Sequence, residues 1–406
     1  MTYNKVINSW NRIRNSIIKT PLDYNHRLSK KYNCNVYLKR EDLQITRSFK
    51  IRGSLNKISK IYKENDQLIC ASAGNHAQGF AYSCNKLNLK GHIFVPEQTS
   101  LQKINRIKYY GGDNIILKIY GKNFDECLEE AYSFQSENGG TFIHPFDDMD
   151  IINGQATVGL EILQDLNPDI VICPVGGGGL LSGISMVLKN KQNIGIYGVE
   201  PEYAASLSQA LLQQKPIKID NMSTFVDGAS VAKIGYNNFD ILNQNINDSF
   251  KINEGEICKE LLELYQNEGI IAEPAGALSI CGLNKIHDIK NKNIVCVISG
   301  GNNDLTRYPE IIEKALIFEG KKHYFIIQFK QNPGELKKFV NCVLGENDNI
   351  TRFEYIKKTN KDFGDVIVGL ELGDKENLEN IIKQMKLYNY NFTKIDETNL
   401  IYSYII

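Results

Sequence analysis

Several features of other protein classes are missing from this 406-residue sequence. Its 47 basic and 47 acidic side chains give a formal net charge of +0, so it lacks the basic surplus that nucleic-acid binding requires. No apolar run reaches the roughly 18 to 20 residues of a membrane span. The start, Met1–Ile7, has no apolar stretch of the kind found in secretory signals. We therefore expect a protein that binds neither nucleic acid nor membrane.

The cysteines lack a pattern as well. Nine are present, an odd number, and no two are spaced as Cys-x-x-Cys. Disulfide frameworks use cysteines in pairs, and zinc sites use closely spaced ones. The sequence therefore predicts reduced thiols, no metal site and a cytoplasmic location. Its hydrophobic fraction of 42% is ordinary for a globular chain, and its length allows two or three domains.

One order of elements repeats from about residue 36 to residue 300: a short apolar strand, a glycine-containing loop and an amphipathic helix. The strands are apolar throughout rather than alternating, which indicates an α/β fold with parallel sheets covered by helices on both faces. The clearest strands are Leu68–Ser72, His92–Val95, Ile115–Leu117, Asp169–Cys173, Ile194–Val199 and Ile294–Ile298. Ligands of such sheets bind beyond the carboxyl ends of the strands, so the loops there should carry the chemistry.

The order of elements changes near Arg307–Pro309. After a helix that ends near Phe318, the chain follows the βαββαβ pattern of a ferredoxin-like sheet. The predicted strands are His323–Lys330, Thr351–Ile356, Val366–Leu372 and Phe392–Ile395, with helices ending at Val343 and Leu387. We therefore predict one domain over residues 1–320, with a small subdomain at about 51–150, and a second domain over residues 321–406.

Four consecutive glycines, Gly176–Gly179, stand between a predicted strand and a predicted helix. Such a run lets the backbone turn sharply and direct several N–H groups at one anion, and the helix N-terminus adds partial positive charge. The run is neither the spaced Gly-x-Gly-x-x-Gly of dinucleotide folds nor a loop ending in Gly-Lys-Ser/Thr. We interpret it as a site for a single phosphate monoester. A loop that only needs conformational freedom is the alternative.

Three other segments have more than one interpretation. Lys50 begins a predicted helix; such lysines are usually solvated, but desolvation lowers the pKa of a lysine and lets it attack an aldehyde. The loop Ser72–Ala77 fits a carboxylate site at a helix start, or a capping turn with Asn75 as the N-cap. Ser299–Asn303 follows a buried strand, where a tight turn is the simpler interpretation.

The four loops, taken in chain order, resemble the pyridoxal-phosphate enzymes of the tryptophan-synthase-β fold (fold type II), and within them the threonine dehydratase (threonine ammonia-lyase) family. They read Ser-Phe-Lys-Ile-Arg-Gly at 48–53, Ser-Ala-Gly-Asn-His-Ala-Gln-Gly at 72–79, Pro-Val-Gly-Gly-Gly-Gly-Leu at 174–180 and Ile-Ser-Gly-Gly-Asn at 298–302. The resemblance extends over roughly residues 10–318, including 36–42 and 272–276. The tail, with Asn-Pro-Gly-Glu-Leu at 332–336, resembles one ACT-like regulatory domain of the biosynthetic form.

This resemblance implies pyridoxal 5'-phosphate as the cofactor and a role for each loop. Lys50 would hold the cofactor as a Schiff base, and Phe49 would pack against its ring. Ser299 would face the pyridine nitrogen, and Asn75 would hydrogen-bond the phenolic oxygen. The phosphate would be bound by Gly176, Gly177, Gly178, Gly179 and Leu180. The substrate carboxylate would be bound by Ser72, Ala73, Gly74, Asn75 and His76.

The implied activity is conversion of L-threonine to 2-oxobutanoate and ammonia, the first step of isoleucine biosynthesis, with L-serine giving pyruvate. Feedback inhibition by isoleucine, its relief by valine, and a homo-oligomer (a tetramer) are implied too. A catabolic dehydratase and a serine racemase of the same fold are alternatives, although racemases carry a second serine where Ala73 stands. An amino-acid-binding regulator with an inactive catalytic half is a third alternative. A nicotinamide dehydrogenase is a fourth, but it would need the spaced Gly-x-Gly-x-x-Gly pattern, which the tetraglycine run does not have.

Overall fold

The computed structural model describes residues 2–61, 67–189, 191, 193–355, 362–396, 399 and 402–405. It divides into two compact units, Met1–Asp304 and Leu305–Ile406. The strands, in chain order, are β1 (Leu22–Tyr24), β2 (Asn35–Arg40), β3 (Leu68–Ala71), β4 (Gly91–Val95), β5 (Ile115–Ile119), β6 (Thr141–Phe142), β7 (Ile170–Pro174), β8 (Gly195–Pro201), β9 (Asp248–Ile252), β10 (Asn293–Ile298), β11 (Lys322–Lys330), β12 (Asn349–Tyr355), β13 (Phe363–Glu371) and β14 (Asn391–Ile395).

The helices are numbered in the same way. They are α1 (Thr2–Ile13), α2 (His26–Tyr32), α3 (Lys50–Ile61), α4 (Asn75–Leu87), α5 (Leu101–Gly111), α6 (Phe124–Asn138), α7 (Met149–Gln155), α8 (Thr157–Asp165), α9 (Gly179–Leu188), α10 (Ser206–Gln213), α11 (Tyr236–Asn245), α12 (Glu254–Glu268), α13 (Pro274–Cys281), α14 (Tyr308–Phe318), α15 (Glu335–Val343), α16 (Asn377–Leu387) and α17 (Tyr402–Ile405). Among the described residues, none of these helices has the length and hydropathy that a bilayer crossing requires.

The described part of the first unit contains two sheets. The larger has the strand order β1-β2-β10-β7-β8-β9 and the smaller the order β5-β4-β3-β6. Between the described residues, every strand pairing in them is parallel except that of β1 with β2. The sequence analysis did not predict the short strand β1. It pairs antiparallel with β2 because the stretch between them is shorter than the dozen or so residues that a parallel crossover needs. The predicted α/β fold with parallel sheets is confirmed.

Five of the six apolar strands named in the sequence analysis, β3, β4, β7, β8 and β10, are inner strands of the two sheets, whereas the sixth, β5, is an edge strand with Ile116 46% exposed. The side chains of β7 and of Ile294–Ile298 in β10 are buried, and α9 is buried along its whole length against them. The smaller sheet has a separate core, which Phe80 of α4 and Ile107 of α5 close from one side. The loops after β3, β7 and β10 therefore leave these cores at the carboxyl ends of their strands, where the predicted chemistry lies.

Four fully buried charged side chains lock the start of α3 in place. The Arg52 guanidinium donates to both oxygens of Glu41 and both oxygens of Glu161, at 2.7 to 2.9 Å. Lys39 Nζ donates to Glu161 Oε2 at 2.6 Å and to the Thr20 carbonyl at 2.7 Å. All four charged side chains have no exposed surface. Two positive and two negative groups balance, so the network ties β2, α3 and α8 together without an unpaired buried charge.

The described residues of the second unit form a four-stranded antiparallel sheet with the order β12-β13-β11-β14, together with helices. Helices α15 and α16 contribute Phe339 and Met385 to a buried core with Phe325, Phe329 and Val368 of the sheet. This is the strand order of a ferredoxin-like βαββαβ sheet, so the predicted ACT-like architecture is confirmed. Ile356, the predicted end of the second strand, lies outside the described residues.

Helix α14 belongs to the second unit. It contacts β11, and Tyr324 Oη donates a hydrogen bond to Glu313 Oε1 at 2.5 Å. The compact units therefore divide between residues 304 and 305, whereas the sequence analysis placed the domain boundary near residue 320. The difference arises because the new order of elements becomes visible only after α14, while the contacts of that helix determine the unit to which it belongs. The small subdomain at about 51–150 remains a prediction.

Candidate active site

A short ladder of hydrogen bonds joins the segment before Lys50 to the loop after β10. The Phe49 N–H donates to the Ser299 carbonyl at 3.1 Å, and the Gly301 N–H donates to the Arg47 carbonyl at 2.9 Å. Ser48 and Gly300 form an antiparallel bridge between these two bonds. The ladder fixes Lys50 and Ser299 side by side, although they lie far apart in sequence.

Lys50 is the first residue of α3, and its amine lies in an enclosed, largely apolar setting. Lys50 Nζ donates to the Pro145 carbonyl at 2.9 Å and lies 5.2 Å and 6.0 Å from the ring centroids of Phe49 and Phe146. Burial lowers the pKa of Lys50 to about 8, and the negative charge of Glu273 opposes this shift. About a tenth of the amine is therefore neutral and nucleophilic at pH 7, and this fraction grows as the pH rises towards 8.

The tetraglycine loop connects β7 to α9, and its glycines are required by close contacts. A Cβ atom on Gly177 would lie 2.2 Å from Cγ of Phe146, and Gly178 has a φ of +93°. The loop leads into the first turn of α9, whose N–H groups have no acceptor within the helix. The loop therefore forms a cradle of backbone donors that leaves no room for side chains.

Most of the predicted cofactor residues line one cleft. Its walls include Phe49, Lys50, Ser299 and residues 176–180, together with Phe146, Gly228, Ala229, Val231 and Ala275. Ser299 is buried, and its Oγ lies 3.3 Å from the Ala275 carbonyl oxygen. The structure thus brings Lys50, the tetraglycine cradle and Ser299 to a single cleft.

The loop Ser72–His76 does not itself line this cleft. Ser72 Oγ accepts a hydrogen bond from the Gly74 N–H at 3.2 Å, and Gly74 rather than Asn75 precedes α4. The alternative of a capping turn with Asn75 as the N-cap is therefore wrong. His76 is buried, with Nε2 at 2.8 Å from the Ile143 carbonyl, and burial together with Lys50 lowers its pKa to about 3. A ligand carboxylate at this loop would meet backbone N–H groups rather than the His76 ring.

Asn75 is joined to the cleft through Glu273, a residue to which the sequence analysis gave no role. Asn75 Nδ2 donates to Glu273 Oε1 at 2.7 Å. Glu273 is 4% exposed, and burial followed by the charge of Asp227 raises the pKa of Glu273 to about 7. A Cβ on Gly228, a residue of the cleft wall, would lie 3.1 Å from Glu273 Oε1. The only sequence signal was an acidic residue within the otherwise small and apolar stretch 272–276.

Phe146 is a second residue that the sequence analysis missed. It lies between β6 and α7, in a stretch without a periodic pattern, and its ring packs against the tetraglycine loop. We expect Gly177→Ala to displace this ring and to weaken binding of a phosphate-bearing ligand by about fivefold to a hundredfold, because overpacking costs about 1–3 kcal/mol. Titration with pyridoxal phosphate, followed by visible absorption, measures the effect.

Gly364→Ala is the matched control for that prediction. A Cβ at Gly364, in β13, would make only an ordinary contact, at 3.4 Å from Tyr355 Cε2. We therefore expect this variant to bind the ligand as the parent chain does. Equal affinity for Gly177→Ala and the parent would mean that the cradle is not the phosphate site.

Comparison with known proteins bears directly on this arrangement. A family model described as pyridoxal-phosphate dependent enzyme matches residues 13–300. A second model, described as the C-terminal regulatory domain of threonine dehydratase, matches residues 313–405. The chain belongs to the pyridoxal-phosphate-dependent enzyme family. The predicted resemblance and the predicted cofactor are thereby confirmed.

Relatives within this enzyme family extend over nearly the whole chain. A protein of Staphylococcus epidermidis named L-threonine dehydratase biosynthetic is 45% identical over 97% of this chain and 96% of its own length. A protein of the same name from Halalkalibacterium halodurans is 44% identical, with the same coverage. Among solved structures, threonine deaminase isoform 2 of Solanum lycopersicum is similar with a TM-score of 0.74 and 35% identity, covering 77% of this chain and 93% of that one. Serine racemase of Dictyostelium discoideum is similar with a TM-score of 0.68 and 30% identity, covering 74% and 98%.

The cleft fits the cofactor of this enzyme family. The cradle of backbone donors after β7 suits a phosphate monoester, and the desolvated Lys50 amine suits an aldehyde. Phe49 and Phe146 flank that amine with aromatic surface, which suits a planar ring. The residues that would hold the cofactor are therefore Lys50, the cradle 176–180, Phe49 and Ser299, while the individual roles of these residues remain predictions.

Proposed function

We propose that this chain converts L-threonine to 2-oxobutanoate and ammonia, and L-serine to pyruvate and ammonia. The observation that carries the proposal is near-full-length identity of 44–45% to proteins named biosynthetic L-threonine dehydratase. The cleft supports it, because a desolvated lysine and an anion cradle share one space there. The product 2-oxobutanoate makes the reaction the first step of isoleucine biosynthesis.

Pyridoxal phosphate, when bound, withdraws electrons from Cα of the amino acid and makes its proton acidic. Lys50 is the proposed base for that proton, because burial lowers its pKa to about 8 and so provides neutral amine near neutral pH. The pKa also leaves Lys50 able to return the proton later in the cycle. Phe49 and Phe146 keep water away from the amine on two sides.

The loop Ser72–His76 is proposed to bind the substrate carboxylate with its hydroxyl and backbone N–H groups at the start of α4. Ser299 is proposed to face the pyridine nitrogen. Its hydroxyl, unlike a carboxylate, does not favour a protonated nitrogen, which weakens electron withdrawal and favours prompt loss of the β-hydroxyl of the substrate over transamination.

The direct test is the formation of 2-oxoacid from threonine and from serine by the purified chain, together with its visible spectrum. We expect a bound-cofactor absorption band and turnover of both amino acids. Colourless protein that takes up no added cofactor would favour the alternative of an amino-acid-binding regulator with an inactive first unit.

A serine racemase activity is the second candidate, because two of the similar solved structures are serine racemases. Racemisation needs a proton donor on the face of the substrate opposite the lysine, and Ala73 offers only a methyl group where racemases of this fold have a second serine. We therefore propose that elimination outweighs racemisation. Measurement of D-serine formed from L-serine alongside pyruvate distinguishes the two activities.

The second unit is proposed to bind isoleucine and to inhibit the first, with valine relieving the inhibition. The match of residues 313–405 to a regulatory domain supports a regulatory role and argues against the catabolic form. We expect isoleucine to inhibit the full chain with a coupling of about 1–3 kcal/mol, and a variant ending at Asp304 to be insensitive. Rates with and without isoleucine and valine test this prediction, and an unchanged response of the shortened chain would contradict it.

We also propose a homo-oligomer, a tetramer, located in the cytoplasm. The edge strands β12 and β14 of the second unit support association, since small open sheets leave unpaired backbone groups at their edges. Sedimentation or light scattering of the full chain gives the subunit number.

A further inference from the structure

A chain of hydrogen bonds crosses three segments beside the cleft. Asn302 Nδ2 donates to the Thr46 carbonyl at 2.9 Å and to Asn75 Oδ1 at 2.7 Å. Asn75 Nδ2 in turn donates to Glu273 Oε1 at 2.7 Å. The side-chain amide of Asn75 is therefore held at both ends, by Asn302 on its oxygen and by Glu273 on its nitrogen.

The direction of this chain is fixed by the Thr46 carbonyl, which can only accept a hydrogen bond. Asn302 must turn its NH₂ group towards Thr46, and the second hydrogen of that group then faces Asn75. Asn75 must therefore accept this hydrogen bond with its side-chain oxygen. A half-turn of the Asn75 amide would place two NH₂ groups against each other and its oxygen against the Glu273 carboxyl. The orientation of Asn75 is thus determined by its neighbours.

Glu273 completes the arrangement from the other side. Its carboxylate accepts the Asn75 NH₂ group and the backbone N–H of Asn302, and its own backbone N–H donates to the Gly300 carbonyl at 3.1 Å. Only one of the two Nδ2 hydrogens of Asn75 is used in the hydrogen bonds between described residues. The other remains for an acceptor oxygen on a ligand.

We propose that Asn302 is a positioning residue that acts through Asn75. It fixes the Asn75 amide so that a donor, the second Nδ2 hydrogen, is presented to the phenolic oxygen of the cofactor. The inference rests on the proposed function, because it takes the predicted contact between Asn75 and that oxygen as its starting point. A purely structural Asn302, which only joins the loop after β10 to Thr46, makes a different prediction.

A double-mutant cycle on the full-length chain separates the two roles. Asn302→Ala, Asn75→Ala and the double variant are titrated with pyridoxal phosphate, and the visible absorption band of the bound cofactor is recorded for each. If Asn302 acts through Asn75, each single variant weakens cofactor affinity about tenfold and the double variant is no weaker than Asn75→Ala. Both single variants should also show the same displacement of the absorption band, because Asn75→Ala removes the donor and Asn302→Ala leaves it unoriented, so that neither presents it to the phenolic oxygen.

Multiplied effects, about a hundredfold weaker binding in the double variant, would overturn the proposal, as would an Asn302→Ala chain with unchanged affinity and spectrum. If Asn302→Ala does not fold, Asn302→Ser takes its place in the cycle, since one hydroxyl hydrogen cannot bond both Thr46 and Asn75. Asn267→Ala, which removes an exposed hydrogen bond to Glu263 on α12, is the matched control. A parent chain without any absorption band would instead mean failure of the proposed function.

Discussion

Lys50→Ala is expected to abolish 2-oxobutanoate formation, with a loss of at least about a thousandfold. Among the described residues that line the cleft, the variant loses the one amine that is both desolvated and placed beside the tetraglycine cradle. Borohydride reduction followed by mass spectrometry provides a second measurement. The parent chain should retain a cofactor adduct at Lys50, and the variant should retain none.

Lys60→Ala is the matched control for this prediction. Lys60 lies on the same helix, α3, but its side chain is 51% exposed and pairs with Asp150 at the surface. The Lys60→Ala variant should form 2-oxobutanoate at the parent rate and retain the cofactor adduct at Lys50. Retained turnover by Lys50→Ala, made in a host without its own threonine dehydratase, would show that another group carries the chemistry.

Arg52→Ala is expected to destabilise the first unit by about 3–5 kcal/mol, the cost of breaking a buried ion pair by removing one partner. The variant leaves Glu41 and Glu161 without the guanidinium that contacts all four of their oxygens, and neither carboxylate reaches solvent. Because Arg52 lies two residues after Lys50 in α3, we expect the variant to lose activity at urea concentrations below those that unfold it. Urea unfolding followed by tryptophan fluorescence and circular dichroism measures the loss.

Lys19→Ala provides the comparison for Arg52→Ala within the same unit. Its ion pair with Asp165 is partly exposed, with side-chain exposures of 45% and 31%, and such pairs contribute about 0–1 kcal/mol. A similar loss of stability in both variants would mean that burial is not what makes the Arg52 network important.

The sequence predicted the architecture well because the composition of its strands and the positions of its loops indicate the same fold. Strands such as β7 and β10 are apolar throughout, which only a sheet covered on both faces explains, and the cradle glycines follow β7 directly. The four loops of the site were recognisable because each combines glycine with polar residues just after a strand or at a helix start. The tetraglycine loop and the loop after β10 lie together because β7 and β10 are parallel neighbours in one sheet.

The parts that sequence could not supply depend on contacts between distant segments. The ladder between residues 46–49 and 299–302 has no local signature, since it consists of backbone bonds. Asn302 and Glu273 lay within quoted motifs, but which partner each contacts depends on the packing of the loops. The place of α14 could not be read either, because its apolar face fits a core in either unit until its neighbours are known.

The last strand of the large sheet along the chain is also an inner one. Strand β10 lies between β2 and β7. During synthesis, one edge of each of those two strands therefore stays unpaired until nearly three hundred residues have left the ribosome. Contacts between residues so far apart in sequence form slowly, and the folding intermediates that precede them are prone to aggregate. The nascent polypeptide therefore has a long interval in which chaperone protection matters, and the ladder that seats Lys50 can form only when that interval ends.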